Sequence, residues 1–103
     1  MTEQEFRLQA DRALDGLERE LSSMAEEEDF EVESQNGVLQ VVFEEPSAAK
    51  FVVSPNAPVQ QIWVSALFRS YKLSWSAEAA AFALDGETLG VLVTRLARQH
   101  LSS

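Results

Sequence analysis

The sequence predicts an α+β fold in two layers, with an N-terminal and a C-terminal helix on one face of an antiparallel sheet of five to six strands. Three observations predict it. Apolar residues recur at helical spacing over the first two dozen positions, and again from Leu89 onward. Between these stripes lie short runs of alternating apolar and polar residues, separated by turn residues. One of those separations is Asn36-Gly37, the preferred two-residue connection of a β-hairpin. Strands joined by short turns pair antiparallel, and two helices at opposite ends of the chain share one core only by covering the same face. A length of 103 residues suits a single domain over residues 1–103.

The first helix opens at Thr2, with Glu5 three residues later as a capping box. Phe6, Ala10, Ala13, Leu14, Leu17, Leu21 and Met24 form its apolar stripe over about 20 residues. Gly16 interrupts it at a cost of about 1 kcal/mol relative to alanine. Asp11, Asp15 and Glu18 fall on one exposed face at i, i+4, i+7.

The hairpin register follows from its turn. A two-residue loop pairs Gln35 with Val38, Ser34 with Leu39, Val32 with Val41 and Phe30 with Phe43. The last three pairs share a face, so Glu31 and Glu33 point the other way, toward solvent. Further strands are expected at Lys50–Val53, Gln60–Ser65 and Phe68–Trp75, with a weak one at Ala80–Leu84. Residues 54–58, Ser-Pro-Asn-Ala-Pro, read as a loop. Asp85-Gly86-Glu87-Thr88 reads as the start of the second helix, whose buried stripe is Leu89, Leu92, Val93, Leu96 and His100.

Charge is divided along the chain. Residues 1–45 carry 14 acids and 3 bases, a net of −11; residues 46–103 carry 3 acids and 5 bases, a net of +2. The resulting −9 disfavours nucleic acid and anionic membranes, and favours cations or basic protein surfaces. No run reaches the roughly 18 apolar residues of a membrane helix. The chain opens into a polar helix without a signal h-region or an arginine-rich presequence, so the expected location is the cytoplasm. With no cysteine there is no thiolate chemistry and no thiolate metal site. A serine nucleophile lacks its elbow or its lysine partner, and four scattered glycines make no phosphate loop. His100 reads as a packing residue beside the C-terminal helix dipole. The sequence therefore offers no seat for an enzyme's chemistry.

Two features remain. The first is Ala25–Glu33, with six carboxylates in the eight residues from Glu26. Read bare, it is either a solvated connection or a surface that takes a cation. Like-charge neighbours cost only a few tenths of a kcal/mol each, so repulsion decides nothing. Acids at the C-terminal end of a helix oppose its dipole, and together with Asp11, Asp15, Glu18, Glu31 and Glu33 they extend into a ridge. Carboxylates without thiolate suit hard ions such as Mg²⁺, Ca²⁺, Mn²⁺ or iron, in an open and weak site. A closed iron-oxidising or storage centre would need inward carboxylates, and these point outward. The second feature is the segment Gln60-Gln61-Ile62-Trp63-Val64. If Ile62 and Val64 face the core, Gln61 and Trp63 face out, as an interface anchor or as cross-strand packing.

In its order of elements and three of its motifs the chain resembles the frataxins, in their short bacterial form. The motifs are the acid-rich helix running into an acidic strand and Asn36-Gly37-Val38-Leu39, the segment Pro58-Val59-Gln60-Gln61-Ile62-Trp63-Val64-Ser65, and Asp85-Gly86-Glu87-Thr88-Leu89. The resemblance implies a two-layer sandwich with near-parallel helices. It implies an iron-binding protein, an iron chaperone and regulator in iron–sulfur cluster assembly, monomeric without metal. Iron, Fe²⁺ or Fe³⁺, would bind weakly on Asp11, Asp15, Glu18, Glu20, Glu26, Asp29, Glu31 and Glu33. The cysteine desulfurase and the scaffold protein would dock through Gln61 and Trp63, with Glu18 and Glu31 also taking part. Ser22 and Ser23 stand where bacterial relatives usually carry acids, and Ala80 where they carry a second tryptophan. The alternative is a metal-independent interaction module built on the open sheet face around Trp63.

Overall fold

The computed structural model describes all residues, Met1–Ser103. Helix α1 spans Glu3–Ala25, and seven strands follow: β1 Phe30–Gln35, β2 Val38–Phe43, β3 Ala49–Asn56, β4 Gln61–Ala66, β5 Arg69–Ser76, β6 Ala81–Leu84 and β7 Glu87–Thr88. Helix α2, Leu89–Leu101, closes the chain. Each strand pairs antiparallel with its sequence neighbour, giving the order β1 to β7 without crossover. Two helices on one face of an antiparallel sheet is the expected architecture. The sheet has seven strands rather than five to six.

Local chemistry accounts for most boundaries. Thr2 Oγ1 accepts the Glu5 amide at 3.0 Å, which satisfies one orphan donor of the first turn. The β1–β2 register is the one read from the turn, from Gln35↔Val38 to Phe30↔Phe43. Asn36 and Gly37 adopt the positive φ values, 54° and 77°, that such a turn requires.

Strands β4, β5 and β6 each start one residue later than expected, leaving Gln60, Phe68 and Ala80 outside them, and two boundaries differ by more. Strand β3 runs through Ser54, Pro55 and Asn56, which read as a loop. Pairing with β2 ends at Leu39↔Val53, so beyond it β3 has β4 as its only neighbour. Proline is tolerated there because the side lacking an N–H faces no partner strand. Second, Asp85-Gly86 does not start a helix. Its φ values of 50° and 82° make a second two-residue turn, joining β6 to the short strand β7. Helix α2 begins only at Leu89, with Thr88 extended as its N-cap. Asp-Gly carries the same turn chemistry as Asn-Gly, and here that outcompetes capping.

The core is one cluster of 21 buried apolar residues. The inward face of the sheet supplies Leu39, Val41, Phe43, Phe51, Val53, Ile62, Val64 and Leu73, against Phe6, Leu17 and Leu21 of α1 and Leu92, Val93 and Leu96 of α2. Phe6 meets Phe82 edge-on at 5.7 Å, tying the start of α1 to β6. His100 is buried against Phe43, with ring centroids 4.7 Å apart, and its Nε2 lies 2.9 Å from the Ser47 carbonyl oxygen. It is the packing residue the sequence suggested. The opposite sheet face carries no covering element.

The β4–β5 connection is of a different kind. Leu67 and Phe68 form a two-residue turn with φ values of 51° and 66°. For non-glycine residues this left-handed region costs roughly 1–2 kcal/mol each. The chain's other two such turns use Asn-Gly and Asp-Gly.

Candidate functional site: an acidic edge and an open sheet face

The expected ridge residues occupy three places along the edge where α1 meets β1. Asp11, Asp15 and Glu18 lie on the flank of α1 that turns toward β1; Asp11 and Asp15 rim a hollow of about 270 Å³ whose floor includes Leu14, Val38 and Leu39. Glu26–Asp29 form the exposed connection. Their amides close the end of α1, Glu27 N–H to Met24 O at 3.1 Å and Glu28 N–H to Met24 O at 3.0 Å, so the carboxylates are left free. No basic residue occupies the last turn of α1 to offset its dipole. Glu31 and Glu33 are exposed on the outer face of the edge strand β1, opposite Val42 and Gln40.

Glu20 stands apart. Successive helical residues are rotated by about 100°, so Glu20 lies on nearly the opposite flank of α1 from Glu18. Its carboxylate reaches the first turn of α2, where an added Cβ on Gly90 would sit 2.9 Å from Oε2. The structure thus separates Glu20 from the ridge. That flank is shaped by tertiary contact with α2, which spacing along α1 does not reveal.

The two ion pairs, Arg7–Glu3 at 2.7 Å and Arg95–Glu87 at 2.6 Å, involve none of the ridge carboxylates. Nor do any three histidine or acidic side chains converge as a ready metal site. Chemically this is a strip of hard oxygen donors with high local negative charge. It suits one- or two-point contact with a hydrated cation, or with lysines and arginines of a protein.

The second predicted site lies on the uncovered sheet face. The alternation holds: Ile62 and Val64 are buried, while Trp63 is 37% exposed. The indole N–H donates to Gln61 Oε1 at 2.9 Å, and Gln61 Nε2 donates to Ser74 Oγ at 3.3 Å. Lys72, paired with Trp63 across β4–β5, holds its Nζ 4.8 Å above the ring centroid. The indole is therefore held in one orientation above a hollow of about 390 Å³ that includes Val52, Ser54 and Ser65. Sequence reasoning missed Lys72 and Ser74. Their register depends on Leu67-Phe68 being a turn, and neither residue advertises one.

Away from both sites, Arg95 donates to Glu87 through Nε and Nη2, at 2.6 and 2.9 Å. That hydrogen bonding holds the Glu87 carboxyl below its ordinary range, against partial desolvation and with help from the Arg95 charge.

The fold is a small α/β sandwich with an acidic edge and an uncovered sheet face carrying a fixed tryptophan. The chain belongs to the frataxin-like domain family, which matches residues 1–103. It is 38% identical over 68 residues to the "Iron-sulfur cluster assembly protein CyaY" of Janthinobacterium sp. (strain Marseille), and equally to that of Herminiimonas arsenicoxydans. The Cupriavidus metallidurans protein of the same name is 35% identical over 68 residues. Each match covers 64% of this chain and 60% of the relative's length. The solved frataxin of Psychromonas ingrahamii superposes with a TM-score of 0.66 at 20% identity, covering 96% of this chain and 91% of that one; this establishes a shared fold.

Proposed function

We propose that this protein serves iron–sulfur cluster assembly in the cytoplasm, as an iron-binding regulator without catalytic chemistry of its own. The observation that carries the reading is the concentration of unpaired carboxylates along the α1–β1 edge, exposed except for the half-buried Glu18, in a chain of the frataxin family. Asp11, Asp15, Glu18, Glu26, Asp29, Glu31 and Glu33 attract ferrous or ferric iron, with water completing its coordination sphere. The same field steers the protein onto a basic patch of a cysteine desulfurase, while Gln61 and Trp63 meet the desulfurase or the scaffold protein. Iron is cargo here, weakly held, and the protein without it is a monomer.

An anaerobic Fe²⁺ titration followed by ¹⁵N–¹H NMR tests the metal half of the reading. Broadening or shifts confined to residues 11–33 support it; no localised response at millimolar iron removes iron from the function. One observation favours a second reading: no three carboxylates gather around a point. In that reading the protein is a metal-independent interaction module, and Trp63 carries the affinity. Chelator then leaves partner binding unchanged.

A further inference from the structure

We infer that the β4–β5 hairpin tip, Leu67-Phe68, is a docking anchor for a protein surface offering an apolar pocket rimmed by carboxylates. Phe68 is fully exposed, at 109% of the reference area, and its ring contributes nothing to the core. Leu67 is half-buried against the core, which accounts for its own presence at the turn. Nothing inside the folded chain accounts for Phe68. Its φ of 66° makes it an unfavourable residue for this position, and the same chain places glycine at the second position of its other two-residue turns, Gly37 and Gly86. A lone exposed ring is ordinary by itself, but one held on strained backbone is accounted for by contact with another molecule.

The surroundings set the partner's chemistry. Beside the tip runs a groove of about 440 Å³ along Ala48, Ala49, Lys50, Ser65 and Ala66, with no carboxylate in its lining. Lys50 lines the same groove as Phe68, Arg69 follows Phe68 in the chain, and both are exposed. On the far flank Asp85 is the one acid not paired, since Glu87 is held by Arg95. The residues lining the two hollows beside the tip carry Lys50, Arg69 and Arg95 against Asp85 and Glu87, a small positive excess, while Glu44 and Glu45 stand farther off in the β2–β3 connection at the same end of the sheet. The groove joins the hollow beneath Trp63 through Ser65, which lines both. A partner surface that sets carboxylates against Lys50 and Arg69 around the ring, and cations against the α1–β1 edge, fits in one orientation and not the reverse.

The test uses the partners named above, so it rests on that reading. Binding of purified cysteine desulfurase and of purified scaffold protein is measured for wild type, Phe68→Gly, Arg69→Glu and Trp63→Ala, alongside each variant's thermal midpoint. Phe68→Gly relieves the positive φ, so its midpoint should equal or exceed wild type while affinity for one of the two proteins falls at least tenfold. Arg69→Glu should weaken the same complex. Binding that Trp63→Ala reduces and Phe68→Gly leaves unchanged overturns the anchor alone and leaves the proposed function standing. Wild type binding neither protein overturns both. A Phe68→Gly midpoint several degrees below wild type shows that the ring packs internally and overturns the anchor. So does Phe68-dependent binding to phosphatidylglycerol vesicles, or a dimer in sedimentation that Phe68→Gly abolishes, since these assign the tip to a membrane or to a second copy.

Discussion

Trp63→Ala separates an interface anchor from a packing residue, because the structure sets the scale of both effects. The side chain is 37% exposed, so somewhat under two thirds of it is covered. A tryptophan buries about 150–250 Å² when fully enclosed. Roughly 100–150 Å² is therefore at stake, or about 2.5–4 kcal/mol at ~25 cal/mol per Å². The denatured chain already hides part of that area, which brings the expected loss to about 2 kcal/mol. No cavity adds to it, because the ring lies on an open face. A core phenylalanine such as Phe43, 1% exposed, should cost about 3–5 kcal/mol by contrast. With a total stability of about 5–15 kcal/mol, the Trp63→Ala protein remains folded. Urea unfolding gives the first number, and calorimetric titration with the desulfurase or scaffold protein gives the second. An anchor should lose about 2 kcal/mol or more of binding, roughly thirtyfold. A stability loss near 2 kcal/mol with binding changed less than threefold would refute the assignment and leave Trp63 as cross-strand packing over Lys72.

Other consequences concern the helices and the one perturbed carboxyl. Gly16 lies inside α1 with open space where a Cβ would stand, so Gly16→Ala should stabilise by about 1 kcal/mol and raise the melting midpoint by about 4–8 °C. Ser22 is exposed one turn beyond Glu18, on the same flank as Asp11 and Asp15; Ser22→Glu should tighten Fe²⁺ binding in the NMR titration, and unchanged affinity would mean the α1 flank takes no part. Glu87 titrates below its ordinary value of 4.5 because Arg95 hydrogen-bonds it. A folded pKa below the unfolded one stabilises fully above the unfolded value, and the contribution is lost as pH falls through the lowered one. Arg95→Gln should return the Glu87 carboxyl resonance to an ordinary titration, and an unmoved titration would deny the Arg95 contact its role.

Much of this molecule was legible in the chain because its signals are local. The spacing of Phe6 to Met24 specifies one helix face, and Asn36-Gly37 specifies a turn and hence every pair of the first hairpin. The outward placing of Glu31, Glu33, Gln61 and Trp63 follows from a two-residue alternation that burial enforces. The acid-rich half and its sign are composition itself. Competition between local signals hid the rest. Asp85 could cap a helix or open a turn, and only the pairing of Ala83 with Thr88 decides between them. Pro55 looks like a loop residue until β3 is seen to outrun β2. Glu20 shares its helix with the ridge but sits on nearly the opposite flank, and only the docking of α2 shows that this flank lies beside Gly90. Lys72 reaches Trp63 through a turn whose residues disfavour turning. Periodicity and turn chemistry are carried by neighbours in the chain, so the sequence alone determined the layers and the faces. Which side chains meet across those layers depends on contacts between distant segments, and only the packed structure decided it.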